Sequence, residues 1–361
     1  MPSPRPQDAS SRSSSIDAAQ ARPDVVRAVR RQAARLELSS GVFPNLAPGT
    51  ALVRPLVCAI ASPDLAIAEG RTTFQGVLGH ECVGIVEAIA PVDDARQSLK
   101  ADGSRWVGKR VVVNPVISCG ACELCKHGVS AHCSRRTVMG LHGRDGCFAD
   151  VFVAPVANLT EVPRKVGDLA AACASTVAGA LHACAMVRVE HKPFVTVLGD
   201  GPVGLIAAQV LAKRNASVRL LGLTPAKFQL CEKWGIKHRH VAEVGLRQDQ
   251  DVVIDCTGSS RGTQTALSML RPLGKVIVKG WPCPSVAAEG GEGRVALSRA
   301  LAEEMTIIGA GAGNLSEAIA TLERGDIDVE TLVSRRFRLT DWLSAYAAAK
   351  ETGVVKVVMT P

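Results

Sequence analysis

Short apolar runs, broken by polar residues and turn formers, fill the first part of the chain and are typical of β-strands. They predict strands over residues 25–38 and 51–60, with turns at Pro44, Pro48 and Gly49 between them. Three further runs are predicted strands as well: Ile85–Ile89, Arg110–Val113 and Ala149–Val153. The pattern therefore predicts an opening β-rich domain.

The pattern changes at Phe194, after which apolar strands alternate with helical stretches. The predicted strands are residues 195–198, 218–221, 238–241, 252–255, 275–278 and 305–308. Strands that alternate with helices form a parallel sheet covered by helices on both faces. The second part of the chain is therefore predicted to be a doubly wound α/β domain.

One apolar run, Leu169–Val187, has the length of a membrane span. It consists largely of Ala, Gly, Cys, Ser and Thr, with His182 inside it, and lacks the Leu, Ile and Phe content that favours membrane insertion. We therefore expect a buried, closely packed helix here and no membrane association.

The composition leaves room for two domains, because 361 residues with 47% hydrophobic content can fill two cores. The formal charge of +8 is spread along the chain, and aromatic residues make up only 3% of it. With no long basic block and few aromatic side chains to stack on bases, we expect no nucleic-acid binding. Attraction of a ligand that carries phosphate explains the positive charge equally well.

Residues 1–20 are polar and rich in Ser, Pro and Arg, which predicts a disordered tail. A transit peptide is the alternative. No charged start leads into an apolar segment of the kind that a secretory signal has. The twelve cysteines are therefore expected to be reduced thiols in a cytoplasmic protein.

Four cysteines lie close together in the sequence, at Cys119, Cys122, Cys125 and Cys133. Four thiolates at this spacing can surround one zinc ion tetrahedrally and leave no position open for a substrate, as structural zinc sites do. The alternative is a set of ordinary buried or disulfide-bonded cysteines. The spacing predicts a structural zinc site.

A glycine-rich turn follows the first strand of the α/β region, in Val195-Thr-Val-Leu-Gly199-Asp-Gly201-Pro202-Val203-Gly204. Gly199 makes the turn, Gly201 lets the backbone approach a pyrophosphate, and Gly204 lets the helix pack close to its strand. The helix then presents unpaired amides to the phosphates, with Pro202 and Val203 at its start. A structural turn is the alternative, but the position between strand and helix predicts dinucleotide binding.

The end of the next strand decides which dinucleotide is bound, because a carboxylate there would accept a ribose 2′-hydroxyl. No acid occurs between Gly201 and Cys231, whereas Thr224 and Lys227 could bind a 2′-phosphate. The segment favours NADP over NAD, although both stay open. Lys227 could equally be a solvated helix residue.

The chain resembles the medium-chain, zinc-type alcohol dehydrogenases, and most of all their sorbitol and threonine dehydrogenase branch. The matching segments are Gly79-His80-Glu81, the four-cysteine loop, the glycine-rich turn, Asp255-Cys-Thr-Gly258, Pro272-Leu-Gly-Lys275 and Val354-Val-Lys356-Val. The resemblance implies a GroES-like catalytic domain and a Rossmann domain. After the tail, the predicted ranges are 21–168 for the catalytic domain, completed by 312–361, and 169–311 for the Rossmann domain.

The resemblance also implies cofactor roles for Asp255 and Lys356, with Lys356 near the cofactor phosphates. Its chemistry is hydride transfer between the nicotinamide and a secondary alcohol, a polyol or the corresponding carbonyl, with zinc as the Lewis acid. The resemblance implies Rossmann domains that pair edge to edge, with Ile307 and Ile308 near the contact of a homodimer or homotetramer.

The catalytic zinc of the family needs about three protein ligands, and this sequence departs from the pattern that supplies them. Ala61 stands where the resemblance places a ligand cysteine, Pro63 where it places a relay hydroxyl, and Ser175 where it places a distal carboxylate. His80 and Glu81 remain, and they are the candidate ligands of a second zinc. His80, Glu81 and Ser175 are the candidate catalytic residues.

Other side chains could complete such a site. Cys58 lies near the vacant cysteine position, and His142 and Cys147 belong to a stretch that borders the substrate pocket in relatives. The alternative is that Cys58, Cys147 and Cys173 are small buried hydrophobic residues, and that His80 is only a fold residue.

Three functions therefore stay open. The first is an NAD(P)-dependent dehydrogenase of secondary alcohols or polyols with an altered catalytic metal site. The second is a zinc-independent NADPH reductase of an activated alkene or carbonyl, in which protein hydrogen bonds stabilise the oxyanion. The third is a non-catalytic protein that binds NADP(H) or has only a structural role.

Overall fold

In the computed structural model of the protein, the segment predicted as the first strand, residues 25–38, forms a hairpin of two strands. The structure describes residues 25–33, 35–90, 103–187, 193–214, 216–245, 247–280, 295 and 297–361, so the predicted tail at 1–20 lies outside it. Strands β1 (Val25–Gln32) and β2 (Arg35–Val42) pair antiparallel, with Gln32 opposite Arg35. Ala33 has a φ of 53°, the left-handed conformation that so tight a turn needs. The chain therefore reverses inside the segment 25–38.

The other elements follow in chain order. The strands are β3 (Thr50–Ile60), β4 (Gly76–Val77), β5 (Cys82–Ile89), β6 (Arg110–Val113), β7 (Val116–Ile117), β8 (Thr137–Met139), β9 (Gly143–Arg144), β10 (Phe152–Pro155), β11 (Leu159–Glu161), β12 (Phe194–Leu198), β13 (Ser217–Gly222), β14 (Lys237–His240), β15 (Gln250–Asp255), β16 (Leu270–Val278), β17 (Thr306–Gly309), β18 (Val333–Arg338) and β19 (Lys356–Thr360). The α-helices are α1 (Ser62–Ala68), α2 (Glu123–Lys126), α3 (Asp168–Ala172), α4 (Ala174–Ala185), α5 (Pro202–Lys213), α6 (Pro225–Lys233), α7 (Ser260–Met269), α8 (Ser298–Ala302), α9 (Leu315–Arg324) and α10 (Trp342–Ala348).

The opening β-rich region contains a seven-stranded sheet that includes strands from both ends of the chain. Its order is β11-β6-β5-β3-β19-β18, and β10 pairs with β3. The last strand, β19, runs antiparallel to β3, with Met359 opposite Cys58. Val357 and Met359 pack into one hydrophobic core and Val358 into another, because successive side chains of a strand point to opposite faces. The C-terminal strand is therefore an integral part of the first sheet.

The predicted parallel sheet is confirmed. Its six strands are all parallel, in the order β14-β13-β12-β15-β16-β17. The order proceeds outward in both directions from β12, so the topological switch point lies between β12 and β15. Ligands of open α/β sheets bind at the carboxyl ends of the strands at such a point.

The apolar run Leu169–Val187 is two helices and not one. Helices α3 and α4 are separated at Cys173, which has φ −89° and ψ 5°. Small residues let other backbone approach α4 closely, and Gly313 lies against the carbonyl group of Ala178. Among the described residues, no helix has the length and hydrophobicity to cross a membrane.

The predicted strand Ala149–Val153 is displaced toward the C-terminus. Strand β10 begins at Phe152, and Ala149 forms only an isolated bridge with Ala28. The preceding residues are held instead by loop hydrogen bonds, such as that from the Phe148 amide to the Leu78 carbonyl at 2.9 Å.

We predict that Gly204→Ala destabilises the fold. A Cβ atom at this position would overlap the carbonyl oxygen of Gly199, so helix α5 would have to move off its strand. Overpacking of this kind costs about 1–3 kcal/mol, which denaturant unfolding would measure. Gly201→Ala is the matched control, because nothing lies within 4 Å of its added Cβ. Equal stability of the two variants would contradict the prediction.

Candidate functional site

The four predicted zinc ligands lie together in the loop between β7 and β8. The Sγ atoms of Cys122 and Cys125 are 3.4 Å apart, those of Cys119 and Cys133 also 3.4 Å, and all four lie within 4.8 Å of one another. Tetrahedral zinc with bonds of about 2.3 Å needs sulfur atoms about 3.8 Å apart, so the cluster fits one zinc ion. Because all four positions are filled by protein, this zinc would have a structural role.

The environment of Cys119 favours the thiolate form that zinc binds, whereas burial raises the pKa of Cys125 to about 11. Backbone amides of Ala121 and Cys122 lower the pKa of Cys119 to about 6. The guanidinium of Arg135 also lies 3.4 Å from the Cys119 sulfur.

The glycine-rich turn has the geometry of a dinucleotide site. Gly199 has a φ of 115°, which favours glycine, and α5 starts directly afterwards at Pro202. The space beside Gly201 is open, and Gly204 is buried against the turn. Unpaired amides at the start of the twelve-residue helix α5 therefore face the carboxyl edge of the sheet.

Asp255 is at this edge, at the end of β15, but its carboxylate is used by the protein. It accepts hydrogen bonds from the Thr257 amide at 2.9 Å and from the hydroxyls of Thr257 and Thr263, both at 2.7 Å. Its side chain is fully buried. Asp255 therefore holds the loop that borders the predicted cofactor site.

Asp200 is a charged residue of this region that sequence reasoning missed. Its Oδ2 atom accepts hydrogen bonds from the amides of Leu223 at 2.9 Å and Thr224 at 2.7 Å. These amides follow β13, at whose end the sequence has no acid. Thr224 and Lys227 are half-buried beside it, at the start of α6. Residues 201–231 contain no acid, but the carboxylate of Asp200 lies at the end of β13.

His80 and Asp64 form a buried pair. Asp64 lies in α1, where its Oδ2 accepts a hydrogen bond from the Ala61 amide at 2.8 Å, and its Oδ1 is 3.5 Å from Nδ1 of His80. Burial alone would lower the pKa of His80, but the charges of Asp64 and Glu81 outweigh it and raise that pKa. Among the described residues neither Oδ1 of Asp64 nor Nδ1 of His80 has a hydrogen-bond partner, so Asp64 acts on the ring through its charge.

Glu81 forms a buried ion pair with Lys356. Nζ of Lys356 lies 2.5 Å from Oε2 of Glu81, and the Thr176 hydroxyl donates to Oε1, also at 2.5 Å. Burial opposes both charges, yet the mutual attraction lowers the pKa of Glu81 and raises that of Lys356. The expectation for Lys356 placed it near the cofactor phosphates, whereas the structure buries it against Glu81.

The residues of this region do not fit a zinc ion held by three side chains. Ala61 offers no lone pair, Ser175 offers only a neutral hydroxyl, and both oxygens of Glu81 are engaged. Among the described residues, the four-cysteine cluster is the only group of three or more His, Cys, Asp or Glu side chains with ligand atoms close enough to hold a metal. His80 is left without the two further donors that a tight site needs.

The further ligands that the sequence suggested, Cys58, His142 and Cys147, do not complete a zinc site either. Cys58 is buried, and its thiol lies 3.2 Å from the carbonyl oxygen of Cys147. Burial raises the pKa of Cys147 well above its usual range, which disfavours the thiolate. His142 is exposed. The interpretation of Cys58, Cys147 and Cys173 as buried apolar residues agrees with their burial.

Lys279 is a second charged residue that sequence reasoning missed. It directly follows β16 at the carboxyl edge of the parallel sheet, and its Nζ donates to the carbonyl oxygen of Gly311 at 2.9 Å. A Cβ at Gly179 would lie 3.0 Å from this Nζ, so the missing side chain of α4 makes room for the ammonium group. Gly179 lies one helical turn beyond Ser175, on the same face of α4.

Electrostatics link Lys279 with the rest of the site. Burial lowers its pKa, while the charges of Cys256 and Glu81 act in the opposite direction. A lysine directly after the apolar run Val276-Ile277-Val278 is the signal in the sequence that could have identified it.

Comparisons with known proteins agree with this architecture. The sequence profile of the alcohol dehydrogenase GroES-like domain matches residues 47–164, and that of the glucose dehydrogenase C-terminus matches residues 173–360. The chain is 29% identical to erythritol/L-threitol dehydrogenase of Mycolicibacterium smegmatis, over 90% of this chain and 94% of that protein. It is 27% identical to sorbitol dehydrogenase of Halalkalibacterium halodurans, over 71% of this chain and 77% of that protein.

Solved structures show the same fold. A putative zinc-binding dehydrogenase from Sinorhizobium meliloti bound to NADP has a TM-score of 0.81 and 24% identity, covering 94% of this chain and 100% of its own. An alcohol dehydrogenase from Escherichia coli complexed with NADH has a TM-score of 0.81 and 21% identity, with the same coverage. The profile matches, the four-cysteine cluster and the parallel sheet together show that the chain belongs to the medium-chain, zinc-type alcohol dehydrogenase family of oxidoreductases.

Proposed function

We propose that the protein is an NAD(P)-dependent oxidoreductase that interconverts a secondary alcohol, in particular a polyol, and the corresponding carbonyl. The names of its relatives, which include sorbitol and erythritol/L-threitol dehydrogenases, support a polyol. The observation that carries the proposal is that the glycine-rich turn and Lys279 both lie at the carboxyl edge of the parallel sheet. A dinucleotide and a positive charge can thus meet at one site.

We propose further that this reaction proceeds without a zinc ion held by three side chains. When bound, the nicotinamide accepts or donates the hydride. The protein must then stabilise negative charge on the substrate oxygen and exchange the hydroxyl proton. The ammonium group of Lys279 is suited to the first task. His80, whose Nδ1 lies 3.5 Å from the Asp64 carboxylate, has Nε2 for the second.

The zinc content tests this part of the proposal. We expect about one zinc per chain in protein purified without chelator, held by the four cysteines. The double variant Ala61→Cys, Ser175→Glu should bind about one more, because it adds the thiolate and carboxylate that the site lacks. Elemental analysis would measure both. About two zinc ions per wild-type chain would refute a zinc-free site.

A second candidate is a zinc-independent NADPH reductase of an activated alkene or carbonyl, which the same lack of metal donors favours. A panel of polyols with NAD and NADP, and of enones with NADH and NADPH, separates the two functions. Turnover of polyols supports the first and exclusive turnover of enones the second. Dinucleotide binding without any turnover would indicate the non-catalytic alternative.

We predict that Lys279→Met lowers kcat by about a hundredfold, because it removes the charge that stabilises the substrate oxygen. The dissociation constant for the dinucleotide should change by less than about threefold, since the fold of the turn is untouched. Lys275→Met is the matched control, because it removes the same charge from the same strand, nearer its amino end. Steady-state kinetics and fluorescence titration would check both. An equal loss of kcat in the two variants would contradict a specific role.

The Rossmann domains are proposed to pair edge to edge in a homodimer. Strand β17 is the edge of the parallel sheet, and the side chain of Ile307 on it is 45% exposed. An unpaired, apolar strand edge favours association with a second copy. We predict that Ile307→Asp shifts the protein toward the monomer in analytical ultracentrifugation. A wild-type protein that sediments as a monomer would exclude this interface.

We also propose a cytoplasmic location. The four zinc-binding thiols and the buried free cysteines persist in a reducing compartment. Cell fractionation would test this, and recovery in a secreted fraction would contradict it.

A further inference from the structure

Asp200 belongs to the glycine-rich turn, but its side chain contacts the neighbouring strand. It lies between Gly199 and Gly201, yet its carboxylate reaches the end of the neighbouring strand, β13. There it accepts two hydrogen bonds through one oxygen, Oδ2, from the amides of Leu223 and Thr224. Among the described residues, Oδ1 accepts no hydrogen bond and keeps its lone pairs for a ligand.

Gly222 makes this position accessible. A Cβ atom at residue 222 would lie 2.6 Å from Oδ2 of Asp200 and 2.8 Å from its carboxyl carbon. Any larger side chain would therefore push the carboxylate away from the strand end. The contact therefore needs both an acid in the turn and a glycine at the end of β13.

The place is important because the adenosine ribose of a dinucleotide lies over the end of the second strand of such a sheet. A carboxylate that projects from this strand commonly accepts the ribose 2′-hydroxyl and thereby selects NAD. Strand β13 ends at Gly222, and neither the strand nor Leu223 after it supplies an acid. The carboxylate of Asp200 stands at that strand end, although it comes from the turn.

We propose that Asp200 determines the choice between the two dinucleotides, accepting the 2′-hydroxyl of NAD through Oδ1 and disfavouring the 2′-phosphate of NADP through its charge. The inference deepens the proposed function, since it rests on dinucleotide binding at this turn. Thr224 and Lys227 lie on the same edge and act in the opposite sense, as a hydroxyl donor and a cation for a phosphate. Asp200 shifts the balance between these groups toward NAD.

The test is a fluorescence titration of NADH and NADPH, which needs no substrate. Asp200→Asn keeps an oxygen that can accept from the two amides but removes the charge. We expect it to raise the affinity for NADPH relative to NADH by at least about tenfold, which corresponds to about 1.4 kcal/mol. Thermal unfolding should be unchanged.

Asp251→Asn is the matched control. Asp251 also accepts a hydrogen bond from a backbone amide, that of Phe194 at 2.7 Å, but near the opposite, amino end of the sheet. The substitution removes the same charge from the same domain, so the ratio of NADPH affinity to NADH affinity should stay at the wild-type value. An equal shift in both variants would show a general charge effect and overturn the inference.

A competition experiment on the wild-type protein does not depend on any variant folding. Adenosine 5′-monophosphate should displace NADH at lower concentration than adenosine 2′,5′-bisphosphate, because only the latter carries the 2′-phosphate. Displacement at lower concentration by the bisphosphate would overturn the role of Asp200 and leave the proposed function intact. An unchanged ratio of NADPH affinity to NADH affinity in Asp200→Asn would have the same meaning. Absence of turnover with normal dinucleotide binding would instead refute only the proposed function. Failure to bind either dinucleotide would overturn both.

Discussion

The buried ion pair between Glu81 and Lys356 is the interaction on which the rest of the site depends. It joins residues 275 positions apart in the sequence and has a third member, Thr176, which comes from helix α4. Two charges are stable at this depth only because each has the other and the remaining carboxylate oxygen has a hydroxyl donor. Removal of one partner of such a pair costs about 3–5 kcal/mol, since the other is left buried and uncompensated. The pair and Thr176 therefore connect the residue before β5 with α4 and the C-terminal strand β19.

The same pair determines what the neighbouring residues can do chemically. A carboxylate that is bound on both oxygens is not free to hold a metal, so the nearest charge to the His80 ring is the carboxylate of Asp64, 3.5 Å from Nδ1. Where the family pattern has a cysteine and a distal acid, this chain has Ala61 and Ser175. A divalent ion would polarise a substrate oxygen strongly, whereas an ammonium group such as Lys279 supplies a single charge and a hydrogen bond. In the proposed site, a retained histidine and carboxylate are therefore combined with Lys279 as a different source of positive charge.

Much of this protein follows from local patterns in the sequence. The cysteine spacing predicted the thiol cluster because three of its members lie within seven consecutive residues, and a short loop forces them together. The glycine-rich turn and the alternation of strands and helices predicted the parallel sheet for the same reason. The predictions were less accurate where one residue redirects the chain. Ala33 turns one predicted strand into a hairpin, and Cys173 divides one predicted helix into two.

The sequence alone thus determined the fold class, the thiol cluster and the dinucleotide turn, because each depends on neighbours in the chain. It also showed by substitution that the family's metal ligands are incomplete. Only the tertiary structure decided which partner each charged side chain has. Asp200 accepts from an amide after β13, Lys279 donates to the carbonyl of Gly311, and Lys356 pairs with Glu81. These contacts join residues that are 24, 32 and 275 positions apart. Their energies depend on burial and distance, which no spacing along a single sequence contains.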